Sequence, residues 1–196
     1  MSDVKKVEFL YGQGTLSLDV PADTPVLTSN VDQLKSTKNG REIVAEAMAN
    51  PIDSPTLDVL AQGKPDCTII ISDHTRPVPS KDILPEMIKA LRKGSPDIKI
   101  TLLVATGFHR PTNTDELKYK LGAELYDEFK DNIVVHDAHN PASNVKVGVL
   151  PSGPDCIIDK VAAEASLLIA EGFIEAHFFA GFSGGRKSVL PAISDA

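Results

Sequence analysis

The chain has 196 residues, 42% of them apolar and 24% charged, with a net charge of −7. These are ordinary globular values that exclude long disorder, collagen and coiled coil, and the acidic balance argues against a nucleic-acid partner. Tryptophan is absent and aromatics are 5%, no apolar run reaches the roughly 18 residues of a membrane helix, and the N-terminus MSDVKKVEFLYGQG lacks a signal peptide's apolar region, so neither a single-strand stacking platform nor a membrane association is expected.

Residues 4 to 20 predict a β-hairpin, because VEFL and TLSLDV alternate around the turn signal GQG. A Pro-, Asp- and Asn-rich stretch runs on to about Pro55 and holds one helix, REIVAEAMA, opening near Asn39 or Gly40. From there strands alternate with helices. Cys67 to Ser72 (CTIIIS) is a continuous apolar, β-branched run, the pattern of a strand buried on both faces. Ser80 reads as the N-cap of a helix through ILPEMIKALRK to Gly94. Ile98 to Ala105 is the next strand, Thr114 to Gly122 the next helix, and AELYDEFK a further helical piece. Ile133 to His136 is a third strand and Val145 to Val149 a short extra one. Lys160 to Ala165 reads as a brief helix and Leu167 to Glu171 as a fourth buried strand. The run GFSGGRKS then leads toward another helix. The expected fold is α/β: an open, mostly parallel sheet with helices on both faces, Rossmann-like, plus the N-terminal hairpin. The expected division is a hairpin and connecting segment over 1–55 and a parallel α/β core over 56–196. Cys67 and Cys156 stand apart and outside any CxxC pair, so a reducing cytoplasm is the simplest compartment.

The polar residues gather at the strand ends. The four core strands run out into Asp73-His74-Thr75-Arg76-Pro77, Thr106-Gly107-Phe108-His109-Arg110-Pro111, His136-Asp137-Ala138-His139 and Glu171-Gly172-Phe173-Ile174-Glu175-Ala176-His177. All five histidines lie in these loops. In an open parallel sheet such loops share one edge, outside the carboxyl ends of the strands, where ligands bind. A lone histidine after a strand is more often a capped or solvated loop residue, and that plain reading suits His136 and His139. His74 stands evenly between the two readings. His109 and His177 have Gly, Arg or Glu neighbours in otherwise apolar stretches, which favours acid–base work; imidazole titrates near neutrality. Arg76 and Arg110 each precede Pro and are candidate clamps for a carboxylate or phosphate. Asp73 and Thr75 suit either a ribose or phosphate contact or a turn.

The run Gly181 to Ser188 fails the Walker A pattern, because Arg186 and not Gly precedes Lys187. A glycine-rich backbone can still cradle an anion. Lys187 is open to three readings: phosphate ligand, Schiff-base former or covalent cofactor anchor. No HExxH or Cys/His quartet is present, and His136 with His139 is a weak metal pair. The residues alone thus describe proton transfer on a small anionic substrate with a phosphorylated cofactor.

Three blocks, DHTRPVPS at 73–80, GFHRP at 107–111 and IEAHFFAGFSGGRKSVLPAI at 174–193, resemble the N-terminal domain of the nickel-dependent lactate racemase family. The resemblance covers about residues 5 to 196. It implies a nickel-pincer nucleotide, a modified nicotinic acid mononucleotide with two sulfur arms around nickel. It implies that Lys187 holds this cofactor through a thioamide and that His109 and His177 are the catalytic histidines. It implies that Asp73, His74, Thr75 and Arg76 bind the cofactor, with Arg76 also near the substrate carboxylate. The implied reaction is reversible hydride transfer from a 2-hydroxy acid. The sequence departs from the family's more usual Thr at Phe108, Pro at Ala176 and Gly at Ala192, and Phe108 bears on substrate choice. No metal ligand is assigned within the chain, since the family's nickel-binding histidine lies beyond residue 196. The implied partners are a 2-hydroxy acid, a C-terminal domain and the cofactor-making proteins, and the 196 residues are expected to be inactive and free of nickel alone. The alternatives are a phosphate- or nucleotide-binding domain of another enzyme class, with Lys187 as an ordinary anion ligand, and a non-catalytic binding module.

Overall fold

A computed structural model describes residues 3–30, 33–177 and 181–196. The chain forms two compact units, Met1–Thr37 and Lys38–Ala196. The first holds the hairpin expected from the alternation: β1 (Val4–Tyr11) pairs antiparallel with β2 (Gly14–Pro21), from Val4 opposite Pro21 to Tyr11 opposite Gly14. The alternation implies one covered face, but neither strand has a fully buried residue.

The second unit begins with α1 (Gly40–Ala49), which the sequence reading placed in the connecting segment. Asn39 caps it in a full capping box with Glu42. Then follow α2 (Leu57–Leu60), β3 (Asp66–Ser72), α3 (Ser80–Gly94), β4 (Lys99–Ala105), α4 (Thr114–Leu121), α5 (Ala123–Phe129) and β5 (Ile133–Val135). The chain continues through β6 (Asn144–Val149), β7 (Asp155–Asp159), α6 (Lys160–Ala163) and β8 (Leu168–Ala170). A short ribbon of β9 (Ala176–His177) and β10 (Gly181–Phe182) precedes a 3-10 turn at Gly185–Ser188.

The four apolar strands form one sheet in the order β5-β4-β3-β8, parallel throughout. Its faces sort by the two-residue period of a strand. Cys67, Ile69, Ile71, Ile100, Leu102 and Val104 pack under α3, α4 and α5 through Leu84, Leu91, Leu121 and Phe129. Ile70 and Leu103, on the opposite face, meet Ala162 of α6 together with Ile193 and Val189 of the C-terminal segment. The expected extra strand is β6, but it pairs antiparallel with β7 in a separate two-stranded sheet.

Two local expectations change. Ser80 is not the cap of α3: Pro79 holds that position without a side-chain bond, and the Ser80 hydroxyl donates instead to Glu171 Oε1 at 2.5 Å. The segment after the glycines is a 3-10 turn, not an α-helix. Gly184 and Gly185 take positive φ values of 78° and 56° immediately before and at its start, and Pro191 lacks the N–H that continuation would need.

Candidate functional site

The order β5-β4-β3-β8 sets the site. From β3 the chain runs outward through β4 and β5, then returns to add β8 on the other flank of β3. The crossovers therefore leave β3 in opposite directions, and the carboxyl ends of β3 and β8 enclose a crevice, the usual ligand position in such sheets. A cleft of about 340 Å³ opens there. The end of β3 contributes Asp73 and Arg76, the end of β4 Gly107, Phe108 and His109, and the chain after β8 Gly172, Phe173 and His177. Ser183, Gly184, Lys187 and Ser188 complete it from the C-terminal segment.

Asp73 is buried at the cleft floor, and its two oxygens are used separately. Oδ1 accepts from the Thr75 amide at 3.0 Å and from the Thr75 hydroxyl at 2.7 Å, closing a turn. Oδ2 lies 2.5 Å from His109 Nδ1. Burial pushes the Asp73 carboxyl upward, but the bonds from Thr75 and His109 outweigh it and hold the group below the ordinary carboxylate value. An ionised Asp73 accepts the Nδ1 proton of His109 and leaves Nε2 as the ring atom available to a reactant. Arg76 is fixed in the same loop: its amide donates to Asp73 O at 3.3 Å and its Nη1 to the Thr75 hydroxyl at 2.9 Å.

The Gly-rich run returns to the loop after β4, since Gly107 N donates to Ala192 O at 2.9 Å. Gly184 lets the run also lie close to the chain after β8: a Cβ there would stand 2.6 Å from Phe173 O. Ser183 Oγ is buried on the cleft wall with no hydrogen-bond partner. His177 is carried by β9, opposite Gly181 in β10.

Of the residues singled out from sequence, Asp73, Arg76, His109, His177 and Lys187 meet around this cleft. Thr75 supports it through Asp73 and Arg76. His74 is not among the lining residues; its Nδ1 lies 3.0 Å from the Thr112 hydroxyl and 3.8 Å from Glu116. The Arg110 guanidinium pairs with Glu116 at 2.9 and 2.5 Å, and this pair lowers the Glu116 carboxyl to about 2. His136 is a core residue between Asp159 Oδ2 and Ser194 O, each at 3.0 Å. His139 packs edge-on against Phe108 with ring centroids 5.8 Å apart. Sequence reasoning gave no site role to Ser183 or Lys120 and read Ser80 only as a helix cap. Lone serines and a lysine in a charged helix carry no spacing signal. Among the described residues no three His, Cys, Asp or Glu side chains gather closely enough to hold a metal ion, and no helix is long and apolar enough to cross a membrane.

The family model of the lactate racemase N-terminal domain matches residues 11–196. The chain belongs to that family. A lactate racemase of Lactiplantibacillus plantarum is 48% identical over 192 residues, covering 91% of this chain and 45% of the relative. One of Thermoanaerobacterium thermosaccharolyticum is 45% identical over 190 residues, covering 96% of this chain and 44% of the relative. The solved lactate racemase apoprotein from T. thermosaccharolyticum superposes with a TM-score of 0.82 at 43% identity, covering 97% of this chain and 44% of that one. A Thermotoga maritima structure at 18% identity and a TM-score of 0.60, covering 80% of this chain and 38% of its own, shares the fold alone. The chain spans less than half the length of the curated relatives it matches.

Proposed function

We propose that the chain is the cofactor- and substrate-binding half of a lactate-type 2-hydroxyacid racemase. The carrying observation is the convergence of two imidazoles, one guanidinium and one lysine on a single cleft at the sheet's switch point. In this reading Arg76 receives the substrate carboxylate, since a guanidinium offers two parallel donors to two oxygens. His109, fixed through Nδ1 by Asp73, takes or returns the hydroxyl proton at Nε2. His177 serves the same role from the other side. Two imidazoles suit a racemase, because either enantiomer presents its hydroxyl to one of them.

The residues fit a nickel-pincer nucleotide. The cleft lies at the low end of the volume range of small-molecule sites. Ser183 offers an orphaned hydroxyl, and a side chain at Gly185 would meet only open space, which leaves room beside the backbone. Lys187 would hold the group through a thioamide, with Asp73, Thr75 and Arg76 beside it and His74 bracing the loop from Thr112. When bound, the group supplies a reversible hydride acceptor. Its nickel would take a protein ligand from beyond residue 196. A C-terminal domain and the cofactor-making proteins are the proposed partners, and a cytoplasmic location accords with the free thiols Cys67 and Cys156.

Chiral analysis of lactate tests this in the longer protein, produced together with the cofactor-making proteins. His109→Asn and His177→Asn are each expected to lower kcat by about 10²- to 10⁴-fold, the usual worth of a positioned acid–base group. Racemisation within twofold of wild type in either variant contradicts the assignment.

A further inference from the structure

A group of buried polar side chains lies outside the cleft, behind the loop that carries Asp73 and Arg76. Glu171, 4% exposed, follows β8, and its amide donates to Ile70 O at 3.0 Å, extending the β3–β8 ladder. Its Oε1 accepts from Ser80, while Oε2 has no hydrogen-bond partner. Lys120 of α4 is 8% exposed, and its Nζ points back to Arg76 O at 3.4 Å. The charges that act on Lys120 are those of Glu171 and Asp73; burial lowers its pKa against both. Burial likewise raises Glu171, against the Ser80 bond and the charge of Lys120.

A lysine on an amphipathic helix ordinarily extends its ammonium into water. Here the stem turns inward, at a desolvation cost that an apolar side chain of the same volume would avoid. What the ammonium gains is a main-chain carbonyl in the loop and the field of two carboxylates. The Arg76 amide is already tied to Asp73 O and its guanidinium to Thr75. Lys120 adds the third restraint, on the carbonyl.

We infer that Lys120 is a positioning residue, which fixes the Asp73–Arg76 loop from behind through the Arg76 carbonyl and so aims the guanidinium that lines the cleft. The consequence for catalysis rests on the reading of Arg76 as the carboxylate clamp; the restraint itself does not.

Lys120→Met keeps the apolar stem and deletes the ammonium. Two measurements follow, both in the longer, cofactor-loaded protein: amide hydrogen exchange and lactate kinetics. The Thr75 and Arg76 amides are expected to exchange about tenfold faster, with Ile70, Ile71, Leu102 and Leu103 unchanged, as for loss of one charged hydrogen bond at a local opening. The KM for lactate is expected to rise about tenfold with kcat within about twofold, because a misaimed clamp loses binding shared by ground and transition states. Unchanged exchange at Thr75 and Arg76 overturns the inference, and so does protection lost evenly through the sheet, which would mark a plain packing role. Local loss of protection with an unchanged KM upholds the restraint and removes Arg76 as the clamp. Lys120→Gln retains a polar end but falls short of the carbonyl; it is expected to give the same local pattern and serves if the methionine variant does not fold.

Discussion

Asp73 and His136 are each buried, and each sits in a histidine–carboxylate pair, yet they serve different ends. Asp73 pairs with an imidazole that reaches the cleft, so the pair faces a reactant. His136 pairs with Asp159 inside the core and joins β5, β7 and the C-terminal segment. Burial disfavours the charged form of His136, but the Asp159 bond, Ser194 O and the charges of Asp159 and Asp137 outweigh it, so its pKa is raised. A raised folded value means that the charged pair stabilises fully below the unfolded value of about 6.5 and loses this contribution as pH rises through the folded value. Thermal melts of wild type and His136→Gln should therefore differ most below the unfolded value of about 6.5, and the gap should narrow as pH rises through the folded value. A stability gap that stays constant over that range would contradict the charged pair. In sequence these histidines look alike, each a ring just past an apolar strand. Burial separates them, and burial depends on β7 and residues 193–195, some 20 to 60 positions further along. His139, by contrast, is exposed and packs edge-on against Phe108, and the Arg110 guanidinium is paired with Glu116, six residues on.

At the scale of the element, apolar periodicity carried β3, β4 and α3 in the sequence, because long runs average over local exceptions. Two-residue strands such as β9 and β10 have no period to detect, and they position His177. Caps were legible where side chain and helix agree, as at Asn39, and illegible where a tertiary bond competes, as when Glu171 takes the Ser80 hydroxyl. Gly94 looks like an ordinary helix-end glycine, yet it is the last residue of α3, and a Cβ there would stand 2.0 Å from Asp58 O in α2. Helix propensity alone would favour Gly94→Ala by up to about 1 kcal/mol. The clash is with main chain that cannot rotate away, so the substitution is expected to destabilise by about 1–3 kcal/mol in urea unfolding. An alanine variant as stable as wild type would show that α2 and α3 can separate at no cost.

For the whole molecule, strand order matters more than any single side chain. A sheet built as β5-β4-β3-β8 has one switch point, and the loops after β3, β4 and β8 reach it while the loop after β5 does not. The sequence listed four polar loops on one edge; only the order, which follows from where the crossovers pack, separates the three that line the cleft from the one that braces the core. The family accounts for the chain from residue 11 to 196, and the relatives extend beyond what it spans. In the proposed function Lys187 anchors a nickel-pincer nucleotide. The direct measurement is intact mass and peptide mapping around Lys187 in the longer protein, produced with the cofactor-making proteins and ample nickel. An added mass on Lys187 matching that nucleotide is expected; an unmodified Lys187 in that material would contradict the assignment and leave the lysine as an ordinary anion ligand.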